Sequence, residues 1–318
     1  MLKANAIENR LLSKVSSMYY DQNYNQQEIA NRLHLSRPKV SRLLKQARQK
    51  GIVQISVVSP NDSFVELENK LEKKFSIEEA LIIETDPQVS NNVIKRQLGS
   101  AAANYLHRTV SKGEMLGVTW GTTLQAMVDA IPAKPIEDVH IVQSLGGVGP
   151  PEAKAHATDI SRRLSQHLEG SLTLLPAPGI VGSIQAKNIL LSDRQVRGAL
   201  DLFPNINTLF VGLGAIKTNP VLDQKNREIP PELYDEIINS NAVGDIALHF
   251  FDDKGNEIDS DLKDLVIGIS IEELKKIDTV VAIAGGQEKV DVIQGALNGQ
   301  LIDVLITDNH TAQYLADR

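Results

Sequence analysis

From residue 80 onwards short apolar runs keep returning, and several are separated by stretches with helical spacing. The runs fall at 80–83, 115–118, 139–142, 172–175, 208–211, 280–284 and 304–307, with helical stretches such as 92–107 and 122–131 between them. Strand and helix in alternation predict an α/β fold, a large, doubly wound, mostly parallel sheet. A hairpin is expected over 250–258, with Asp253, Lys254, Gly255 and Asn256 as turn residues at its centre. There is no internal repeat and no low-complexity tract. At 318 residues the chain exceeds the roughly 100–200 of one typical domain, so two domains are expected.

Ahead of the alternating region the chain changes character. Residues 1–57 hold 10 of the 33 basic residues and 3 of the 40 acidic ones, a net +7, which leaves −14 for the rest of a chain whose total is −7. A basic head on an acidic body suits a nucleic-acid-reading domain joined to a domain of another kind, although a basic solvated face would look the same by charge alone. Ser59, Pro60, Asn61, Asp62 and Ser63 read as the linker, which sets the domains at 1–58 and 59–318. Beyond it Phe64, Leu67, Leu71 and Phe75 share one helical face, for docking, dimer contact or plain core packing. No run of about 18 apolar residues offers a membrane span. The start, Met1-Leu2-Lys3-Ala4-Asn5, lacks the apolar core of a secretory signal. The chain has no cysteine, which excludes disulfides, a thiol nucleophile and cysteine metal sites. A cytoplasmic protein is the expectation.

Within the head, Ile7, Leu11, Val15, Met18 and Tyr19 predict an amphipathic helix over 5–20. Asn25 and Glu28 form a capping-box start for a second helix with Ile29, Ala30 and Leu33 on its apolar face. His34-Leu35-Ser36 makes the turn. Ser36 is read as the cap of a third helix, with Pro38 in its first turn, Val40, Leu43, Leu44 and Ala47 facing inward, and Gly51 at its end. Val53, Ile55 and Val57 suggest a short strand or wing. This is the pattern of a helix-turn-helix. Ala30 is the small residue where two helices cross. His34 takes the place usual for glycine, and histidine enters the left-handed region more readily than most residues. A recognition helix offers side chains from its N-terminal half to phosphates and base edges. Here these are Ser36, Arg37, Lys39, Ser41 and Arg42, with Gln26 and Gln27 as candidates for the DNA backbone. A surface helix pair in some other helical domain is the plainer alternative.

In the body, glycine turns follow the apolar runs. Gly121, Thr122 and Thr123 end one strand and open a helix, where free amides and two hydroxyls suit a phosphate, or simply close a turn. Gly146-Gly147, Gly212-Leu213-Gly214 and Gly285-Gly286 follow three other runs. In doubly wound sheets ligands sit beyond the carboxyl ends of strands, so these turns are expected around one cleft. Asp245 and Lys289 are the charges expected there, a carboxylate for sugar hydroxyls and an ammonium for a phosphate. Neither GxxxxGK[ST] nor a complete GxGxxG is present, and no nucleotide or other cofactor is called for. His140, His156, His167, His249 and His310 have no metal-ligand spacing and are read as structural or surface residues.

These residues resemble one family, the SorC/DeoR-type sugar-binding transcriptional regulators of bacteria. The head matches through Tyr24-x-Gln26-Gln27-Glu28-Ile29-Ala30-x-Arg32-Leu33 and Ser36-Arg37-Pro38-x-Val40-Ser41-Arg42-Leu43-Leu44. The body matches through Gly117-x-x-Trp120-Gly121-Thr122-Thr123, Gly146-Gly147, Ala242-Val243-Gly244-Asp245-Ile246, Ala284-Gly285-Gly286-x-x-Lys289 and Leu305-Ile306-Thr307-Asp308-x-x-Thr311-Ala312. The resemblance implies a tetrameric regulator that partners operator DNA and a phosphorylated sugar effector, with a body similar to sugar-phosphate isomerase and deaminase folds. It implies that Gly121, Thr122 and Thr123 hold a phosphate and that Asp245 and Lys289 contact the effector. It also implies that the residue before Gly146-Gly147 tunes ligand identity. Some members form a Schiff base through a lysine there. Leu145 removes that chemistry and points to a non-covalent monophosphate sugar or polyol. The rival reading is a sugar-phosphate isomerase or deaminase with an appended helical domain, but no second carboxylate or histidine falls in the glycine turns.

Overall fold

The computed structural model describes residues 2–53, 64–148, 156–222 and 229–318. The chain divides into two compact units, 1–61 and 62–318. The expected wing at Ile55 and Val57, the linker from Ser59 to Ser63 and the 58/59 boundary lie outside the described residues, as does the side chain of Ile7.

The first unit is three helices: α1 (Leu2–Tyr20), α2 (Gln26–Leu33) and α3 (Arg37–Gln49). Leu12, Val15 and Met18 of α1, Ile29 and Ala30 of α2, and Val40, Leu43, Leu44 and Ala47 of α3 close one apolar core. Each large side chain buried there contributes roughly 1.5–3 kcal/mol. The ends of the helices explain their limits. Asn25 accepts the Gln27 and Glu28 amides, and the Glu28 carboxylate accepts the Asn25 amide, a complete capping box. His34 ends α2 at φ 53° in the left-handed region, its amide donating to the Ala30 carbonyl. At the end of α3, Gly51 takes φ 69°, with its own amide on the Arg48 carbonyl and the Ile52 amide on that of Ala47. That pair of bonds is a Schellman motif. Ser36 corrects the sequence reading. It stands at the start of α3 with extended backbone, but its hydroxyl makes no capping hydrogen bond. Pro38, within the first turn, spares the helix one amide that would need a partner.

The second unit carries a seven-stranded sheet, formed by β1 (Glu79–Ile83), β2 (Met115–Val118), β3 (His140–Gln143), β4 (Ser171–Thr173), β5 (Thr208–Val211), β9 (Thr279–Ile283) and β10 (Val304–Asp308). A second sheet of three strands, β6 (Leu213–Ala215), β7 (Gly244–Ile246) and β8 (His249–Phe251), intervenes in sequence. Its helices are α4 (Val65–Phe75), α5 (Asn91–Thr109), α6 (Thr122–Ala130), α7 (Ala157–Leu168), α8 (Ile184–Ser192), α9 (Arg194–Leu200), α10 (Pro231–Ile238), α11 (Ile271–Leu274), α12 (Val290–Asn298) and α13 (Asn309–Asp317).

The large sheet runs β1-β10-β9-β5-β2-β3-β4 with every pairing parallel. Its strands read as continuous apolar runs because both faces are covered. Along β5, Leu209 and Val211 join the core that holds Leu71 of α4 and Val292 of α12, while Phe210 joins the core of Leu98 of α5, Leu124 of α6 and Ile160 of α7. The residues from Phe64 to Phe75 that shared a helical face therefore pack on the body's own core, Leu71 fully buried. After β2 the chain proceeds outward through β3 and β4; after β5 it proceeds the other way through β9 and β10. The strand order thus reverses between β2 and β5.

The small sheet is where sequence and structure part. The expected hairpin over 250–258 is present in short form: Phe251 and Glu257 make an antiparallel bridge, the Ile258 amide donates to Phe250 at 2.8 Å and the Asp252 amide to Asn256 at 2.9 Å, and the turn closes through Asp252 and Gly255. The hairpin that the sequence did not show joins β7 to β8 through Ala247 and Leu248, at φ 50° and 69°. Two left-handed central residues make this a tight primed turn, normally built from Asn or Gly. Two L-residues with side chains carry a strain of roughly 1–2 kcal/mol each there.

The left-handed backbone at His34 can be tested by substitution. His34→Gly is expected to preserve or raise the protection of α2 and α3 amides in hydrogen exchange, since glycine meets no Cβ penalty at this φ. His34→Val is expected to lower it by roughly 1–2 kcal/mol. Equal protection in both variants would contradict the turn described.

Candidate functional site

Two sites follow from these frames. In the first unit, Gln27, Ser36, Arg37, Lys39, Ser41 and Arg42 are exposed and Gln26 is half-buried. The inward positions of α3 are the apolar ones, so the basic residues project from the opposite side. Among the described residues Arg37, Lys39 and Arg42 enter no ion pair, whereas Arg48 donates to the Tyr20 hydroxyl at 2.8 Å and Arg32 lies 4.1 Å from the centre of the Tyr24 ring. The structural arginines and the outward-facing ones are thus different residues. Gln27 also donates to Asn31 at 3.0 Å, which fixes its side chain along α2.

In the second unit a cavity of about 330 Å³ opens at the carboxyl ends of β2 and β5, where the strand order reverses. That is the place the doubly wound topology assigns to a ligand. Gly121, Thr122, Thr123, Asp245 and Lys289 all line it, as do Gly212 and Gly214. Gly121, at φ 127°, leaves the end of β2 and starts α6, so the first turn of that helix, with Thr122 and Thr123, borders the cavity.

Asp245 is fixed from two sides. Its carboxylate accepts the Asn219 side-chain amide at 2.6 Å and the Leu248 backbone amide at 3.0 Å. Gly214 permits the arrangement, because a Cβ there would stand 2.0 Å from an Asp245 oxygen. Burial pushes the Asp245 carboxyl above its ordinary value, against the pull of the Leu248 amide, the Lys289 ammonium, Asn219 and His249. Lys289 donates to the Leu213 carbonyl at 2.8 Å. Burial pushes its ammonium below the usual lysine range; the Asp245 carboxylate opposes that shift and Lys95 adds to it. The turn bearing Lys289 is held by Asp308. One oxygen of its buried carboxylate accepts the Gly286 amide at 2.7 Å and the Thr311 hydroxyl at 2.7 Å, and the other accepts the Thr311 amide at 2.9 Å. Asp308 and Thr311, known from sequence only as part of a motif, therefore brace the turn without lining the cavity.

Leu145, Gly146 and Gly147 need correcting. None of the three lines the cavity. Leu145 is fully buried in a third apolar cluster with Val148, Leu248 and Phe250. The Gly146 amide donates to Ile267 and the Gly147 amide to Ala177, each at 2.9 Å, so neither is available to an anion. What Gly147 does is make room: a Cβ there would lie 2.7 Å from His156 Nε2. His156, read from sequence as structural or surface, is a buried structural residue. It caps α7 through Nδ1, which accepts the Thr158 amide, and it lines the cavity. Lys95, Trp120, Asn219 and Glu288 also line it. Sequence reasoning passed over Lys95 and Asn219, since one lies within a helix and the other follows no apolar run. Among the described residues no cluster of His, Asp and Glu is arranged to hold a metal, and no helix is long and apolar enough to cross a membrane.

Comparison with known proteins bears on both parts of the chain. The profile of the family described as "Putative sugar-binding domain" matches residues 59–316, and that of sigma-70 region 4 matches residues 13–50. The chain is 31% identical to the deoxyribonucleoside regulator of Bacillus subtilis (strain 168), over 97% of each protein. It is 26% identical to the sorbitol operon regulator of Klebsiella pneumoniae, over 98% of this chain and 99% of that one. The crystal structure of the full-length K. pneumoniae sorbitol operon regulator SorC superposes with a TM-score of 0.75 at 26% identity, covering 96% of this chain and 98% of that one. A DeoR family transcriptional regulator from Listeria monocytogenes superposes at 0.72 with 30% identity, covering 79% and 98%. These relatives are regulators rather than enzymes, and the sugar-binding profile spans most of the chain; the chain belongs to the SorC/DeoR-type family of sugar-binding transcriptional regulators.

Proposed function

We propose that this regulator reads operator DNA with the head, residues 1–58, and senses a phosphorylated sugar or polyol with the body, residues 59–318. The observation that carries the proposal is the composition of the cavity at the strand-order reversal. One set of groups suits an anion: the start of α6 with Thr122 and Thr123, and the Lys289 ammonium. Another suits hydroxyls: the Asp245 carboxylate and the Asn219 side chain that holds it. A monophosphate ester of a polyol presents both chemistries. A second phosphate would meet the Asp245 charge. At about 330 Å³ the cavity is near the lower end of ligand sites, which run roughly 300–1,000 Å³, and suits a single monosaccharide-sized molecule.

Binding is non-covalent at position 145, where Leu145 offers no amine and does not reach the cavity. The Bacillus subtilis relative is a deoxyribonucleoside regulator, and the K. pneumoniae relatives regulate a sorbitol operon. Control of a carbohydrate-utilisation operon is the function these names support for this chain. The protein works as a cytoplasmic homo-tetramer in this reading, as the family resemblance implies. The effector favours one arrangement of subunits and so alters how the heads span two half-sites, and only a ligand with unequal affinity for the arrangements can do this.

Four outcomes are expected. Arg37→Ala with Arg42→Ala lowers operator affinity by about 10-fold or more at fixed salt, in a fluorescence anisotropy titration, while ligand-induced thermal stabilisation persists. Unchanged affinity would remove α3 from the DNA interface. A thermal-shift screen of phosphorylated and free sugars raises the melting temperature with a phosphorylated member only. Thr122→Ala with Lys289→Ala abolishes that response and leaves DNA affinity intact, and a normal response in the double variant would show that the cavity is not the sensor.

The fourth outcome concerns pH. The ligand's phosphate requires Lys289 protonated, and Lys289 loses its proton at a lower pH than an ordinary lysine. Affinity therefore falls as pH rises through that lowered value, with proton uptake on binding. It falls again on the acid side, below about pH 6, as the phosphate dianion takes a proton. Calorimetry of the ligand found in the screen, run in two buffers of different ionisation enthalpy, checks this; equal heats on the alkaline flank would count against it.

A further inference from the structure

Lys95 stands on α5, away from every glycine turn, yet it lines the same cavity as Lys289. We infer that Lys95 is a second cation of the effector site, forming with Lys289 and the start of α6 a subsite for a phosphate dianion. The inference rests on the phosphorylated-effector reading and deepens it.

The geometry comes from one face of α5. Asn91, Lys95 and Gly99 follow at intervals of four residues and so share that face. At one end, Gly99 brings α5 onto the backbone of α6: a Cβ there would lie 2.4 Å from the Ala126 carbonyl carbon and 2.7 Å from the Met127 nitrogen. At the other end, Asn91 donates its side-chain amide to Glu288 at 2.6 Å, and Gly286 lies close enough that its Cβ would be 3.7 Å from the Asn91 oxygen. α5 is thereby pinned to α6 and to the turn that bears Lys289. Lys95, one helical turn from each pin, faces the space between them.

Its electrostatic situation has no structural explanation. Lys95 is half-buried, and among the described residues it forms no ion pair or hydrogen bond. The nearby Glu288 carboxylate takes the Asn91 amide instead. The effect of the Lys95 charge falls on Lys289, whose proton it loosens. Two ammonium groups facing one cavity repel, and an anion between them relieves both. One lysine could answer a monoanion; two lysines and a helix start suit a dianion, which separates a phosphorylated sugar from a free one.

The test uses the full-length protein and inorganic phosphate as probe. Thermal stabilisation is titrated against chloride at matched ionic strength, for the wild type and for Lys95→Gln, Lys95→Arg and Arg96→Gln, the last an exposed neighbour on α5. Lys95→Gln is expected to weaken phosphate by about 10- to 100-fold, as loss of a hydrogen bond to a charged group does. Lys95→Arg should retain most of the affinity and Arg96→Gln all of it. A second readout is one that a merely structural Lys95 would not move. Without the Lys95 charge Lys289 holds its proton more tightly, so the alkaline loss of phosphate binding shifts to higher pH in Lys95→Gln. Equal affinity and an unshifted alkaline flank in Lys95→Gln would overturn the inference and leave the phosphorylated effector standing. Failure of the wild type to respond to phosphate or to any phosphorylated sugar would overturn both.

Discussion

The reversal of strand order between β2 and β5 is the constraint on which the sensor depends. A parallel sheet buried on both faces sends its connections over one face or the other, and where the direction changes two neighbouring connections diverge. The crevice they leave is walled by strand ends and helix starts, which are rich in unspent backbone donors. Here that crevice receives Gly121, Thr122 and Thr123 after β2 and Gly212 and Gly214 after β5. The side chains that give it charge arrive from elsewhere: Lys289 on a turn braced by Asp308, Asp245 on the small sheet, Lys95 from α5. Topology makes the hole, and a few buried hydrogen bonds decide what faces into it.

Asp245 illustrates how much support one buried carboxylate requires. Desolvation of an ion carries a large penalty unless hydrogen bonds and opposite charge offset it. Asn219 and the Leu248 amide supply two hydrogen bonds, and Lys289 supplies the opposite charge. The Leu248 amide reaches the carboxylate through a left-handed turn that few residues adopt willingly. Strain held in place by its surroundings is a known companion of binding sites. In this protein it sits in the loop whose Ala247 lines the cavity.

The sequence was legible where periodicity or turn chemistry decides the structure. All seven strands of the large sheet were visible as apolar runs, because double-sided burial demands them. The helix-turn-helix was visible because the capping box of α2 uses side chains at fixed spacing and the turn falls on His34, which takes the left-handed backbone. The small sheet was not, since strands of three residues leave no period, and the turn at Ala247 and Leu248 carries none of the residues such turns favour. The Gly255 turn, with the right composition, was placed correctly, and the hairpin just before it was missed. The cavity was half legible. Glycine turns located it, but a residue after a strand can face the cleft or the core, and nothing in the order of residues told Leu145 from Thr122. Lys95, His156 and Asn219 come from other segments and join the site only through tertiary packing.

The pairing of β1 with β10 also bears on how the protein is made. Glu79 lies beside Val304, so the body's first strand waits for nearly its last before it has a neighbour in the sheet. Parallel partners so far apart in sequence close slowly and late. The three helices of the first unit, by contrast, complete their core within the opening 53 residues. On the ribosome the two halves therefore mature at different times, the DNA-reading helices early and the sensor only after residue 308 has emerged. A nascent chain stalled between those points carries a finished head on an unfinished body, with the apolar edges of β9 and β5 still open to the wrong partner.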